Sequence, residues 1–257
     1  MNFINYSVSE RVAYITLNRP DKRNALNFDV VSELKDAFLD AEQDPNVKVV
    51  VLRANGKVFC AGADLEYLQQ LQKNSYADNL ADSSHLKDLF HQIYTHKKVV
   101  IAQIHGHAIA GGCGLATVCD ISFSAPEAQF GYTEVRIGFV PAIVTIFLLR
   151  KIGETRAKEM LLSGELISAK KAEEYGLINF IVPADEIEKR VFDYAQMVCK
   201  QNSMQSLQLT KKMIAEVQEK DLTEALTYAA QMNAHARETT DCKRGIGAFV
   251  NKETLEW

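Results

Sequence analysis

Short apolar runs alternate with polar stretches of helical period along the first two-thirds of the chain. Val12-Ala13-Tyr14-Ile15-Thr16-Leu17 is rich in β-formers and stops at the turn residues Asn18-Arg19-Pro20-Asp21. Asn27 is placed to cap a helix, and Val31, Leu34, Phe38 and Ala41 then recur at helical spacing with charges between them. Val49 to Leu52 is wholly apolar, the composition of a strand covered on both faces in a parallel sheet. Polar segments of helical character run from about Asp64 to Tyr94. Val99 to Ile104 reads as the next strand, Ala110-Gly111-Gly112-Cys113-Gly114 as a glycine-rich turn, and Ile121 to Ser124 as a further strand. Strands alternating with helices predict an α/β fold built from crossovers. After Pro183 the pattern becomes helical throughout, with Leu207, Met213, Ile214 and Val217 on one stretch and Leu222, Leu226 and Ala229 on another. The chain is expected to divide into a core over residues 1–190 and a helical C-terminal subdomain over residues 191–257.

Composition narrows the class. Hydrophobic residues make up 47% of 257 residues, enough for a sizeable core. A net charge of −4 argues against nucleic acid as the main partner. The longest apolar stretch, Ile137 to Leu149, falls short of the roughly 18 residues that a membrane span needs, and Met1 to Ser9 carries no apolar signal core. The cysteines, Cys60, Cys113, Cys119, Cys199 and Cys242, are odd in number with no disulfide spacing, so a reducing, cytoplasmic setting is expected.

Three segments stand out as places where backbone and charge meet. Cys60-Ala61-Gly62-Ala63-Asp64-Leu65 puts small residues between a strand and a helix start, where free N–H groups can meet an anion or a polarised carbonyl. By itself it reads first as a plain tight turn capped by Asp64. Gly111, Gly112 and Gly114 would be costly in a helix but permit close backbone approach to a ligand or to a packed strand. They do not match the dinucleotide fingerprint, because the third glycine position holds Thr117. Glu134 lies in Phe130-Gly131-Tyr132-Thr133-Glu134-Val135-Arg136-Ile137-Gly138, a carboxylate among aromatic and apolar neighbours. Burial there would raise its pKa and suit it to proton transfer, whereas an isolated glutamate is more often a surface group paired with a neighbour such as Arg136.

Taken in order, these segments, with Asn18-Arg19-Pro20, Asn24-Ala25-Leu26, Gly164, Ile167-Ser168-Ala169, Gly176-Leu177-Ile178 and Gly247-Ala248-Phe249, resemble the crotonase (enoyl-CoA hydratase/isomerase) family over essentially the whole chain. The resemblance implies a crotonase-like spiral of β-β-α units, with the helical C-terminal region serving oligomerisation in homotrimers or hexamers. It implies an acyl-CoA thioester as substrate, coenzyme A being part of that substrate, and no separate cofactor or metal. It assigns Glu134 as the acid/base and the N–H groups of Ala63 and Gly111 as the oxyanion hole. Lys22, Arg23, Ala25, Ala61, Asp64, Leu65, Gly112, Gly114, Pro141 and Lys252 fall at substrate- or CoA-binding positions, Lys252 reaching CoA from a neighbouring subunit. The pattern departs from two-carboxylate hydratases at Gly114, where the second glutamate would stand, and at Pro141-Ala142-Ile143-Val144 in place of a glycine-rich stretch. Ala142 replaces the aspartate of dehalogenases and the tyrosine of decarboxylases, which disfavours both.

Hydration of a 2-enoyl-CoA and isomerisation of a 3-enoyl-CoA with Glu134 as single base remain. The glycine at 114 together with Glu134-Val135-Arg136-Ile137-Gly138 and Pro141-Ala142 looks most like bacterial methylglutaconyl-CoA hydratases of leucine degradation. Rival chemistries are a metal on His105, His107, Cys113 and Cys119, with His105 and His107 expected on one strand face, and a thiol nucleophile at Cys60 or Cys113.

Overall fold

The computed structural model describes residues 1–257. The chain opens with an antiparallel hairpin of β1 (Ile4–Ser9) and β2 (Val12–Leu17). Glu10 and Arg11 close it with φ of 48° and 67°, the left-handed pair that a two-residue hairpin turn demands.

From β2 onward the backbone winds as a spiral. The first turn goes from β2 through an extended segment at Leu26 to α1 (Phe28–Gln43), whose first turn is capped by the Asn27 side chain. The second goes from β3 (Val49–Ala54) through Cys60–Ala63 to α2 (Leu65–Leu71) and α3 (Tyr76–Thr95). The third runs from β4 (Val99–Ile104) through β5 (Ala108–Ile109) to α4 (Gly111–Val118). The fourth runs from β6 (Ile121–Ser124) through β7 (Gln129–Gly131) and a 3-10 turn (Glu134–Ile137) to α5 (Ala142–Ile152) and α6 (Glu154–Ser163). Next come β8 (Ile167–Ser168), α7 (Ala169–Tyr175) and β9 (Phe180–Ile181), then α8 (Ile187–Gln201), α9 (Met204–Val217), α10 (Leu222–Glu238) and α11 (Thr240–Asn251).

The first strand of each turn joins a six-stranded sheet of order β1-β2-β3-β4-β6-β9, parallel from β2 onward. The second segments form a smaller sheet, β5-β7-β8. Parallel bridges from Cys60 to Ala108 and from Leu26 to Ala63 continue it toward the first turn. This repeated strand, strand, helix winding is the spiral of β-β-α units.

Alternation along β2 to β4 explains their apolar composition. Ala13, Ile15, Val50, Leu52, Val100 and Ala102 enter the main core with α1, α3 and α4. Val12, Val49, Val51 and Ile101 point to the other face, beneath Val191, Ala195 and Val198 of α8. Residue 190, where the sequence reading divides the chain, therefore lies inside a helix that covers the large sheet. Beyond it, only Lys211 and Ala248 are buried within α9, α10 and α11. Lys211 ties α9 to the core through the Asp120 carboxylate at 2.6 Å and the Lys98 carbonyl at 3.1 Å.

Three local expectations change. Met1 to Ser9, read only as a polar start, contains β1, an edge strand with Ile4 alone buried. The glycine-rich segment is the first turn of α4 rather than a loop. Burial outweighs glycine's poor helix propensity there, because a Cβ at Gly112 would stand 2.3 Å from the Cys60 carbonyl oxygen. His105 and His107 lie between β4 and β5, not on one strand, and each is engaged separately. His105 Nε2 meets the Gly56 carbonyl at 2.9 Å, and His107 Nδ1 accepts the Gln129 N–H at 3.1 Å.

Candidate active site

The spiral sets two turns of the small sheet side by side. An ideal Cβ placed on Gly62 would lie 2.8 Å from Ala110 Cβ and 3.6 Å from Gly111 N, so the Cys60–Ala63 segment and the start of α4 touch. Gly62 has φ of +92°, and Ala110 has φ 51° and ψ −123°, a region that a residue with a Cβ rarely enters. Strain of this kind costs on the order of 1–3 kcal/mol and persists where the surroundings over-determine it. Its effect is to turn the Gly111 peptide at the head of α4. The turn and loop hydrogen bonds use neither the Ala63 N–H nor the Gly111 N–H.

Ala63 and Gly111 both border a cavity of about 370 Å³ between α1, α2 and α3 on one side and the Glu134 turn with α5 on the other. Eighteen of its 26 lining residues are hydrophobic, which makes it an apolar pocket with few polar features. Ala61, Leu65, Glu134 and Pro141 line it together with Ala63 and Gly111.

Glu134 opens the 3-10 turn after β7, fixed at its far end by Gly138 in the left-handed conformation (φ +74°). Its Oε2 is buried and has no hydrogen-bond partner. Arg136 forms no ion pair with it, so the surface-pair alternative does not hold. Burial pushes the Glu134 carboxyl above its ordinary value, opposed only by a hydrogen bond from its own backbone N–H. A carboxyl raised in this way is suited to exchanging a proton with carbon.

The remaining positions divide by role. Asp64 is buried. It caps α2 by accepting the N–H groups of Glu66 and Tyr67, and it pairs with Arg19 at 2.6 Å. Burial works against its charge, but the guanidinium and the helix N–H groups hold its carboxyl below the usual carboxylate range. Arg19 also reaches the Ala25 carbonyl at 3.3 Å, and Asn24 donates to the carbonyls of Asn55 and Val58 at 2.8 and 3.0 Å. The Asn18-to-Leu26 motif thus clamps two loops of the spiral, and buried Ala25 belongs to the clamp. Arg23 accepts the Ala61 N–H on its carbonyl, which sets Lys22 and Arg23 at the rim beside Ala61. Lys22 is paired there with Glu66 at 2.6 Å. Gly112 and Gly114 do not line the cavity. A Cβ on Gly114 would lie 2.5 Å from Val144 Cγ1 and 2.9 Å from Phe90 Cε2, and Val144 and Phe90 are themselves in the cavity wall. Lys252 ends α11, which packs on α9 and α10, so this chain does not bring it to its own cavity.

The rival chemistries lose their geometry. Cys60 and Cys113 are fully buried, and burial pushes each thiol up to about 12, far from a thiolate nucleophile. The sequence resemblance places the stretch from Gln69 to Leu86 over the acyl pocket without singling out a residue in it; within and beside that stretch, Tyr67, Asp82, Ser83 and His85 form a polar patch on the cavity wall. Nothing in their spacing marks them, because they come from two helices whose docking the sequence does not display.

Comparison with known proteins gives a consistent picture. Residues 7–257 match the protein family described as enoyl-CoA hydratase/isomerase. A putative enoyl-CoA hydratase of Thermus thermophilus is 42% identical over 241 residues, covering 94% of this chain and 95% of that protein. The 2,3-dehydroadipyl-CoA hydratase of Escherichia coli is 32% identical, covering 98% of this chain and 96% of that one. The crystal structure of a putative enoyl-CoA hydratase/isomerase (crotonase) from Legionella pneumophila superposes with a TM-score of 0.89 at 34% identity, covering 98% and 97% of the two chains. That of an enoyl-CoA hydratase from Mycobacterium smegmatis gives 0.92 at 30%, covering 99% and 98%.

Proposed function

This chain belongs to the enoyl-CoA hydratase/isomerase family and is an enzyme of that family, and we propose that it adds water across the C2=C3 bond of a 2-enoyl-CoA thioester. The observation that carries this reading is the meeting, in one apolar cavity, of a buried carboxyl oxygen with no partner and two backbone N–H groups with no acceptor.

The thioester carbonyl oxygen sits between the Ala63 and Gly111 N–H groups. Water attacks C3, the C2=C3 electron pair moves toward the carbonyl, and negative charge collects on the thioester oxygen. Each preorganised donor is worth about 3 kcal/mol at that stage. Glu134 orients the water and accepts its proton, then returns a proton to C2 as the enolate collapses. Backbone donors suit the task because alanine and glycine leave the thioester room. Lys22 and Arg23, at the rim, meet the anionic part of CoA.

A single base carrying a proton between C2 and C4 of a 3-enoyl-CoA is the second reading. The observation that favours it is the filling of the Gly114 side by Val144 and Phe90, which leaves no polar group there to hold water. On the finer question of substrate, the likeness to methylglutaconyl-CoA hydratases offers 3-methylglutaconyl-CoA of leucine degradation, whose own distal carboxylate would help place the water, and the apolar lining of the cavity offers a neutral 2-enoyl thioester instead. The assembly that goes with these readings is a homotrimer or a pair of trimers. Phe249, Val250, Leu222 and Leu226 are 85%, 70%, 76% and 63% exposed and support burial between subunits, which would also carry Lys252 toward a neighbouring cavity.

Purified protein assayed on crotonyl-CoA, 3-methylglutaconyl-CoA and a 3-enoyl-CoA separates these readings. Hydration of the first or second supports the proposal. Isomerisation of the third without hydration of either replaces it with the single-base alternative.

A further inference from the structure

The charged residues that line the cavity are Glu134 and Asp82, both carboxylates; no lysine or arginine lines it. Asp82, on α3, is half-buried and is gripped by the Tyr67 hydroxyl of α2, which donates to its Oδ1. Burial and the Asp82 carboxylate push the Tyr67 phenol up, so Tyr67 stays a hydrogen-bond donor. The clamp leaves most of the acceptor capacity of the carboxylate unused, since such a group offers about four lone-pair sites.

The one histidine on the cavity wall is already engaged within the protein. His85 lines the same wall, stacked on Phe28 with ring centroids 4.2 Å apart. Its Nδ1 lies 3.3 Å from the Lys35 ammonium, which can only donate, so Nδ1 accepts. Its Nε2 lies 2.9 Å from Ser32 Oγ, which passes its own proton to the Phe28 carbonyl at 3.0 Å. Both ring nitrogens are therefore used within the protein, and Lys35, which does not line the cavity, lies behind the imidazole.

We infer that Asp82, held by Tyr67, is a specificity-determining residue that excludes acyl groups ending in a carboxylate, and that this enzyme takes a neutral, largely apolar 2-enoyl group. The inference rests on the hydratase reading for its kinetic form but not for its binding form. A carboxylate on the acyl tail would enter a mainly apolar cavity beside the Asp82 carboxylate and would find no lysine or arginine of this chain on its wall. A neutral tail meets Leu68, Leu71 and Leu86 instead, which line the same side. This runs against 3-methylglutaconyl-CoA and favours a neutral enoyl thioester of similar size.

The test uses substrates matched in carbon count. 2-Hexenoyl-CoA and 2,3-dehydroadipyl-CoA differ only in the terminal carboxylate. Wild-type protein should show kcat/KM at least about tenfold higher for the neutral substrate, which corresponds to about 1.4 kcal/mol. Asp82→Asn keeps an acceptor for Tyr67 and removes the charge, so the ratio should narrow through a lower KM for the diacid. Tyr67→Phe keeps the charge, so the preference for the neutral substrate should persist. Calorimetric binding of the unreactive hexanoyl-CoA and adipoyl-CoA to the wild type gives the same comparison without turnover. Failure of hydration with tighter hexanoyl-CoA binding would overturn the hydratase reading and leave the gate standing. Equal use and equal binding of both partners by the wild type, or an unchanged ratio in Asp82→Asn, would overturn the gate.

Discussion

The hydroxyl oxygens of Tyr132 and Thr117 lie 2.7 Å apart inside the core. Thr117 gives its own proton to the Cys113 carbonyl at 2.9 Å, so Tyr132 donates to Thr117. Tyr132 is two residues before Glu134, and Thr117 is on α4, the helix that begins at Gly111. One side-chain bond thus fixes the spacing between the proposed acid/base and the proposed oxyanion donor. Tyr132→Phe is expected to cost about 1 kcal/mol of stability and to lower kcat more than it raises KM. Urea denaturation and steady-state kinetics on the same preparation check both parts.

The unpartnered Glu134 oxygen costs stability. Burial raises the folded-state pKa above its unfolded value, so the favourable contribution is complete below the unfolded pKa and is lost as pH rises through the folded one. Glu134→Gln should therefore melt at a higher temperature than wild type at neutral and alkaline pH. The gap should close as pH falls below the ordinary carboxylate range. Thermal melts across that range decide it, and a variant less stable than wild type at neutral pH would argue against an uncompensated buried carboxylate.

Asp64 behaves in the opposite sense. Its folded pKa is lowered, so its contribution is present above the unfolded pKa and fades as pH drops through the folded one. Arg19→Ala leaves this buried carboxylate with only the N–H groups of α2 and should cost about 3 kcal/mol near neutrality. The difference from wild type should shrink in acid, which denaturant titrations at several pH values would show.

Restoring a second carboxylate at position 114 is expected to fail. Gly114→Glu would drive a Cβ against Val144 and Phe90, at 2.5 and 2.9 Å in the present packing. Overpacking of this kind costs about 1–3 kcal/mol. Loss of stability without a gain in hydratase rate is the expected result. A variant that folds normally and hydrates faster would show that the wall yields.

How much of this was legible in the sequence depends on whether the signal was local. The apolar runs at Val49–Leu52 and Val99–Ile104 gave the parallel strands because their two-faced burial is written in consecutive residues. Glu134 was legible as a carboxylate in apolar company, and its unpartnered oxygen agrees with that reading. The family likeness, not periodicity, pointed to the spiral, since the winding follows from bridges such as Leu26 to Ala63 between distant segments. Asp82 stayed hidden for the same reason: its partner Tyr67 is on another helix, and its meaning depends on the absence of a cation from a cavity wall drawn from five helices. The glycine-rich segment misled because propensity argues for a turn, while close packing against Cys60 requires those glycines inside a helix.

The most direct measurement follows the absorbance of the conjugated thioester of a neutral 2-enoyl-CoA, with wild type and Glu134→Gln side by side. The account predicts that wild type bleaches the band as water adds and that the variant binds the thioester but leaves the band intact. Bleaching by the variant at the wild-type rate would contradict the role given to Glu134. No bleaching by wild type, with the band instead growing from a 3-enoyl-CoA, would contradict hydration itself.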